Sequence, residues 1–178
     1  MSELTRDVTA IANIHPLSGL LSNLGILLWC ATASVCFFAM FILHKSRLTG
    51  YSSFLFSAAM LTTYLMLDDA FLIHEHFVHN LLNINQIIVP IALGLFMIVF
   101  VLVYRQIILK SNYLILVVSL VFLAASVFID SIPHRWFEWD RWWKFFLEDG
   151  TKWIGICFWC SYFVQTSYSF LVKENKLL

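Results

Sequence analysis

The sequence predicts an all-α fold: a polytopic membrane bundle of about five transmembrane helices, plus an amphipathic Trp-rich helix in the membrane interface. Three observations predict it. The 178 residues are 61% hydrophobic and only 12% charged, where a soluble domain is about 45–50% apolar and about 25% charged. The mean hydropathy is +0.83. Apolar runs recur at the length of roughly 20 residues that a helix needs to cross a hydrocarbon core.

The runs place spans at about 18–43, 52–73, 85–108, 112–132 and 147–171. The first follows "MSELTRDVTAIANIHP", which has no basic n-region and no small-residue cleavage signal beside an apolar core, so a cleaved signal peptide is not expected. Pro90 falls inside the third run, where neighbouring helices can re-satisfy the backbone. No internal repeat or linker interrupts the chain, and residues 1–178 read as a single integral membrane domain.

Between spans four and five, "HRWFEWDRWWKFF" holds four tryptophans in the eight positions 136–143. Trp136, Trp139 and Trp143 share a helical face, while Arg135, Glu138 and Arg141 can meet water or headgroups. This pattern predicts the interfacial helix, with the tryptophans as belt anchors.

Charge sets the expected orientation. The turns after spans one and three and the C-terminal tail carry six bases (Lys45, Arg47, Arg105, Lys110, Lys173, Lys176) against one acid, Glu174. Short loops rich in Lys and Arg stay cytoplasmic, so the N-terminus is expected outside and the C-terminus inside. Eleven acids balance eleven bases, which gives nucleic-acid binding no electrostatic support. Cys30, Cys36, Cys157 and Cys160 all sit in apolar runs, and the Cys157–Cys160 C-x-x-C has no second ligand pair nearby. Buried apolar cysteines are expected rather than a zinc or redox motif.

Five spans bring "LDDAFLIHEHFVH", "FIDSIPH" and "LEDGTKW" to the same, outer, end. On a continuous helix at about 100° per residue, Asp68, Glu75 and His79 fall within roughly 40° of one line, with Asp69 and His76 on a second line about 90° away. His74 points elsewhere. Asp130 closes span four and is expected to sit deepest, and His134 returns from the turn that Pro133 enforces. Glu148 and Lys152 form an acid-then-base pair one turn apart at the start of span five, with Asp149 beside them.

Carboxylates and imidazoles together suit iron, manganese or zinc. Charged groups near lipid are usually paired, metal-bound or functional. The candidate metal ligands are Asp68, Glu75, His79, Asp130, His134 and Glu148, with Asp69, His76 and Asp149 as second-rank candidates. Glu75 and Glu148 are the candidate catalytic bases. No H-E-x-x-H, paired E-x-x-H or G-x-S-x-G is present. The first expectation is a metal-dependent membrane enzyme that hydrolyses a lipid or other membrane-soluble substrate, with di-iron oxidation second. The alternatives are a proton or divalent-ion transporter or channel, and a non-catalytic subunit or assembly factor of a membrane complex. Membrane lipids are the expected partners, alone or within a homo-oligomer or larger complex.

Overall fold

The computed structural model describes residues 15, 19–45, 49–71, 88–132 and 141–175. The described elements are all helices: α1 (Leu20–Lys45), α2 (Thr49–Phe71), α3 (Ile88–Val103), α4 (Arg105–Leu109), α5 (Tyr113–Ser131) and α6 (Arg141–Asn175). No strand occurs among the described residues. Three helices, α1, α2 and α5, are long and apolar enough to cross a membrane, and residues Ile91–Val103 of α3 form a shorter apolar helix.

The helix limits follow local chemistry. Gly19, at φ 73°, precedes α1, and its carbonyl accepts the amide of Asn23 at 2.9 Å. Only a residue without a Cβ adopts that φ freely. α5 ends at Ser131, and Ile132 is extended at φ −74° and ψ 124°. Pro133 requires this, because its ring clashes with a helical residue before it. The third apolar run, expected as one span, is divided: Tyr104 departs from helical geometry at φ −100° and ψ 14°, and α4 follows. Its ring is held by α2, with the hydroxyl 2.8 Å from Ser57 Oγ and donating to the Ser53 carbonyl at 3.1 Å.

The fifth expected span lies within α6, which is 35 residues long and begins before it, so Trp143 belongs to α6 and is exposed there. The rest of the Trp-rich segment, residues 133–140, lies outside the described residues. Residues 153–172 of α6 carry no charge but include Trp, Tyr, Ser, Thr and Gln. α6 packs on both α1 and α5 and buries Trp159, Tyr162, Thr166 and Ser167, while Ile154, Phe158, Val164 and Tyr168 are exposed.

The contacts also give the helix directions. Gly25 meets Ile156 and Trp29 meets Trp159, so α1 and α6 run parallel. Asp69 meets Lys152, Thr62 meets Trp159 and Phe54 meets Phe163, so α2 runs opposite to α6. Lys144 reaches the Asp130 carbonyl, Ser119 the Gly155 carbonyl and Ser111 the Tyr162 hydroxyl, so α5 does the same.

Apolar burial does not drive helices together in lipid; close van der Waals contact and interhelical hydrogen bonds do. The core accordingly mixes small residues (Ala33, Ala39, Ala58, Ala59) with Trp29, Phe54, Trp159, Tyr162 and Phe163. Gly155 marks a close approach of α6 to α5: a Cβ there would lie 2.8 Å from Leu123 Cγ and 3.1 Å from the Leu123 backbone nitrogen. Ser119 Oγ then donates to the Gly155 carbonyl at 2.8 Å, a bond the missing side chain leaves room for.

Candidate functional site

The antiparallel and parallel pairings separate charge along the bundle. Lys45, Arg105, Lys110 and Lys173 fall toward one end, and Asp68, Asp69, Asp130, Lys144, Glu148, Asp149 and Lys152 toward the other.

At the acidic end α2 carries the doubled acid. Asp68 is buried at 7% exposure. Asp69 uses both carboxylate oxygens: Oδ1 is 2.7 Å from Lys152 Nζ on α6, and Oδ2 accepts the Trp29 Nε1 hydrogen from α1 at 2.9 Å. Lys152 therefore directs its ammonium across the bundle to Asp69, not only along its own helix toward Glu148. Trp29 stands edge-on to Trp159, with ring centroids 5.9 Å apart. Trp159 Nε1 in turn donates to Thr62 Oγ1 at 3.0 Å, seven residues before Asp69 and on the same face of α2. Two indoles thus tie α1 and α6 to two points on α2, two turns apart.

Lys144 is 2% exposed and donates to the carbonyls of Asp130 (2.9 Å) and Ile132 (3.0 Å). The last carbonyls of a helix have no partner within it, and the dipole makes them electronegative. An ammonium from α6 therefore caps the end of α5. Asp130 itself is exposed and meets α6 at Lys144, whereas Asp69 meets it at Lys152, eight residues further on. At 1.5 Å per residue the two anchor points are about 12 Å apart along α6. Asp130, expected to be the deepest acid, thus meets α6 nearer the end of the bundle than Asp69 does, because α5 reaches further along α6 than α2 does.

Glu148 stands between the two levels and before the uncharged stretch. Its partial burial raises its carboxyl above the ordinary glutamate value; the Asp130 and Asp149 charges add to that, while Lys144 and Lys152 oppose it. Asp149 is exposed beside it. These acids form a ladder along α6 and not a single cage. Among the described residues, no three His, Cys, Asp or Glu side chains group as metal ligands. Glu75, His76, His79 and His134 lie outside the described residues, as does His74.

Trp29, Lys144 and Lys152 were not legible as site residues. A tryptophan inside an apolar span was a signal, since a buried indole N–H normally finds an acceptor. A shallow apolar groove of about 400 Å³ between α1 and α6, lined by Phe38, Ala39, Val164 and Tyr168 among others, contacts none of the acids. No curated protein and no solved structure matches the chain. Residues 1–166 match the family model described as Domain of unknown function (DUF8692), and the chain belongs to that family.

Proposed function

We propose that the protein is a five-span membrane enzyme, N-terminus outside and C-terminus cytoplasmic, that uses a divalent metal at its outer end to hydrolyse a lipid or other membrane-soluble substrate. The observation that carries this reading is the position of Lys152 between two acids at one end of the bundle, its ammonium 2.7 Å from Asp69 and its charge acting on Glu148, with the neighbouring Asp68 side chain buried. Support for the span count comes from α2 and α5 running in the same direction, which calls for a crossing between them, and from the 20 uncharged residues 153–172. Support for the orientation comes from the bases gathered at the opposite end.

In this reading Asp68, His79 and either Glu75 or Glu148 hold zinc, iron or manganese, and Asp130 and His134 approach from the rim. A metal held there would supply an activated water for hydrolysis. Whichever of Glu75 and Glu148 does not hold the metal would accept the proton of that water. Elemental analysis of the detergent-purified protein, paired with mass spectrometry of total lipid extracts incubated with it, tests the reading. Stoichiometric metal and chelator-sensitive release of lipid products support it. Protein free of zinc, iron and manganese, with unchanged lipids, rejects it.

A second reading, a non-catalytic subunit of a membrane complex, is favoured by one observation. Asp69, Lys144 and Lys152 are all engaged in contacts between helices. Recovery in a defined larger complex, with no metal, would select it.

A further inference from the structure

We infer that the recess between α1 and α6 seats an acyl chain of an anionic glycerophospholipid whose phosphate lies at Lys45, a lipid site apart from the acidic end of the bundle. The inference does not depend on the metal reading above.

The recess follows from side-chain size. α1 and α6 pack on one another, and the hollow between them measures about 400 Å³, within the roughly 300–1,000 Å³ of ligand pockets. Ala39 and Ser167 form its floor, each 1% exposed, while Phe38, Val164 and Tyr168 stand exposed at its rim. Two small residues beneath taller neighbours leave the space open. The lining offers almost no polar surface. Ser34 Oγ donates to the Cys30 carbonyl of its own helix at 2.8 Å, and the Ser167 hydroxyl lies against the Cys36 thiol. An unfilled hollow forfeits the dispersion contacts of its walls. A lipid chain seated there gains contacts that a chain on a smooth helix face does not. The recess extends over residues 164–171, about 10 Å of α6, and a neighbouring helix is itself about 10–12 Å across. A run of methylenes fills that space, where a helix bridges over it.

Charge decides the class of lipid. The recess lies in the half of the bundle that ends in bases: Ala39 is six residues from Lys45, and Leu171 is two from Lys173. Lys45 is exposed and follows Phe38 by seven residues, within about 20° of the same line on α1. It therefore continues the α1 wall of the recess to the end of that helix. A lysine stem lies along apolar surface while its ammonium reaches the headgroups, and a base at the membrane surface attracts anionic lipid. Six bases face Glu174 alone at this end of the chain's spans, so a phosphate carrying no ammonium of its own is the favoured headgroup.

The test uses the full-length protein in phosphatidylcholine vesicles with a trace of phospholipid bearing a diazirine midway along one acyl chain. Phosphatidylglycerol and phosphatidylcholine versions of the probe are compared, and the labelled residues are mapped by mass spectrometry. Label is expected to concentrate on residues 34–39 and 164–171. The phosphatidylglycerol probe should label about fivefold more, the preference of about 1 kcal/mol that one lysine at the membrane surface confers. Lys45→Gln should make the two probes equal without moving the label. Val164→Trp adds bulk at an exposed rim position and should displace both probes from both segments. Label spread evenly over the recess and the exposed Val121 and Phe128 of α5 would overturn the inference. Equal yields from the two probes in the wild type would overturn it as well. Efficient disulfide crosslinking of Val164→Cys to a second copy would do the same, by showing that protein covers the recess.

Discussion

Lys152 Nζ lies 2.7 Å from Asp69 Oδ1, joining α6 to α2 across the acidic end of the bundle. The pair is only partly shielded, with the Lys152 side chain 39% exposed, so the expected coupling is that of a modest ion pair. A double-mutant cycle of Asp69→Asn and Lys152→Met, followed by denaturant unfolding in micelles, should give about 1 kcal/mol, decreasing with added salt. Additive single-variant effects would mean the two groups do not interact in the folded protein.

Asp68 and Asp69 should separate in their response to metal. Chelator is expected to lower the thermal midpoint of the wild type, because the binding energy of a metal adds to the stability of the fold that holds it. Asp68→Asn should contain no metal and show the same midpoint with and without chelator. Asp69→Asn should lose less of the chelator response than Asp68→Asn does. Mild acid should release the metal from the wild type as its histidine ligands protonate. A chelator response that survives Asp68→Asn would remove Asp68 from the ligand set.

Lys144 makes a claim on stability alone. Its buried ammonium serves two carbonyls at the end of α5. Lys144→Met, which preserves most of the apolar stem, should cost about 1–3 kcal/mol by leaving those carbonyls without a donor. Metal-free protein is the appropriate sample, and a midpoint equal to that of the wild type would show that water replaces the ammonium.

Glu148 predicts a pH dependence with a definite sign. Its folded-state carboxyl is raised above the ordinary value of 4.5, first by burial and then by Asp130 and Asp149. A raised pKa means the fold holds the proton more tightly than the unfolded chain does. The associated stability is present in full below the unfolded value and is lost as pH rises through the folded value. With chelator present, Glu148→Gln should therefore match the wild type near pH 4 and become the more stable of the two toward neutrality. A constant difference across that range would remove Glu148 as the source.

Topology can be read with an impermeant thiol reagent. In a background lacking Cys30, Cys36, Cys157 and Cys160, cysteines at Ser46 and Asn175 should be protected in intact cells and one at Asn80 should label. The reverse pattern would place the acidic end in the cytoplasm.

The sequence by itself determined the helical membrane class, the approximate limits of the apolar runs and the segregation of acids from bases. These are local or additive properties: hydrophobic length, the Pro133 stop after Ile132, and the summed charge of loops. α1, α2 and α5 lie close to where the hydropathy put them. Which acids are occupied was not legible. Helical spacing set Asp69 off the main stripe and paired Lys152 with Glu148, whereas the fold brings Lys152 and Trp29 to the two oxygens of Asp69. It also sends Lys144 to the end of α5 and sets Asp130 about 12 Å along α6 from the Asp69 level. Those outcomes depend on the axial offset and rotation between helices. Close contacts such as Gly155 on Leu123 and the braced Trp29–Trp159 pair set both. A periodic pattern within one helix holds no information about its register against another, so only the packed bundle decides which charges meet.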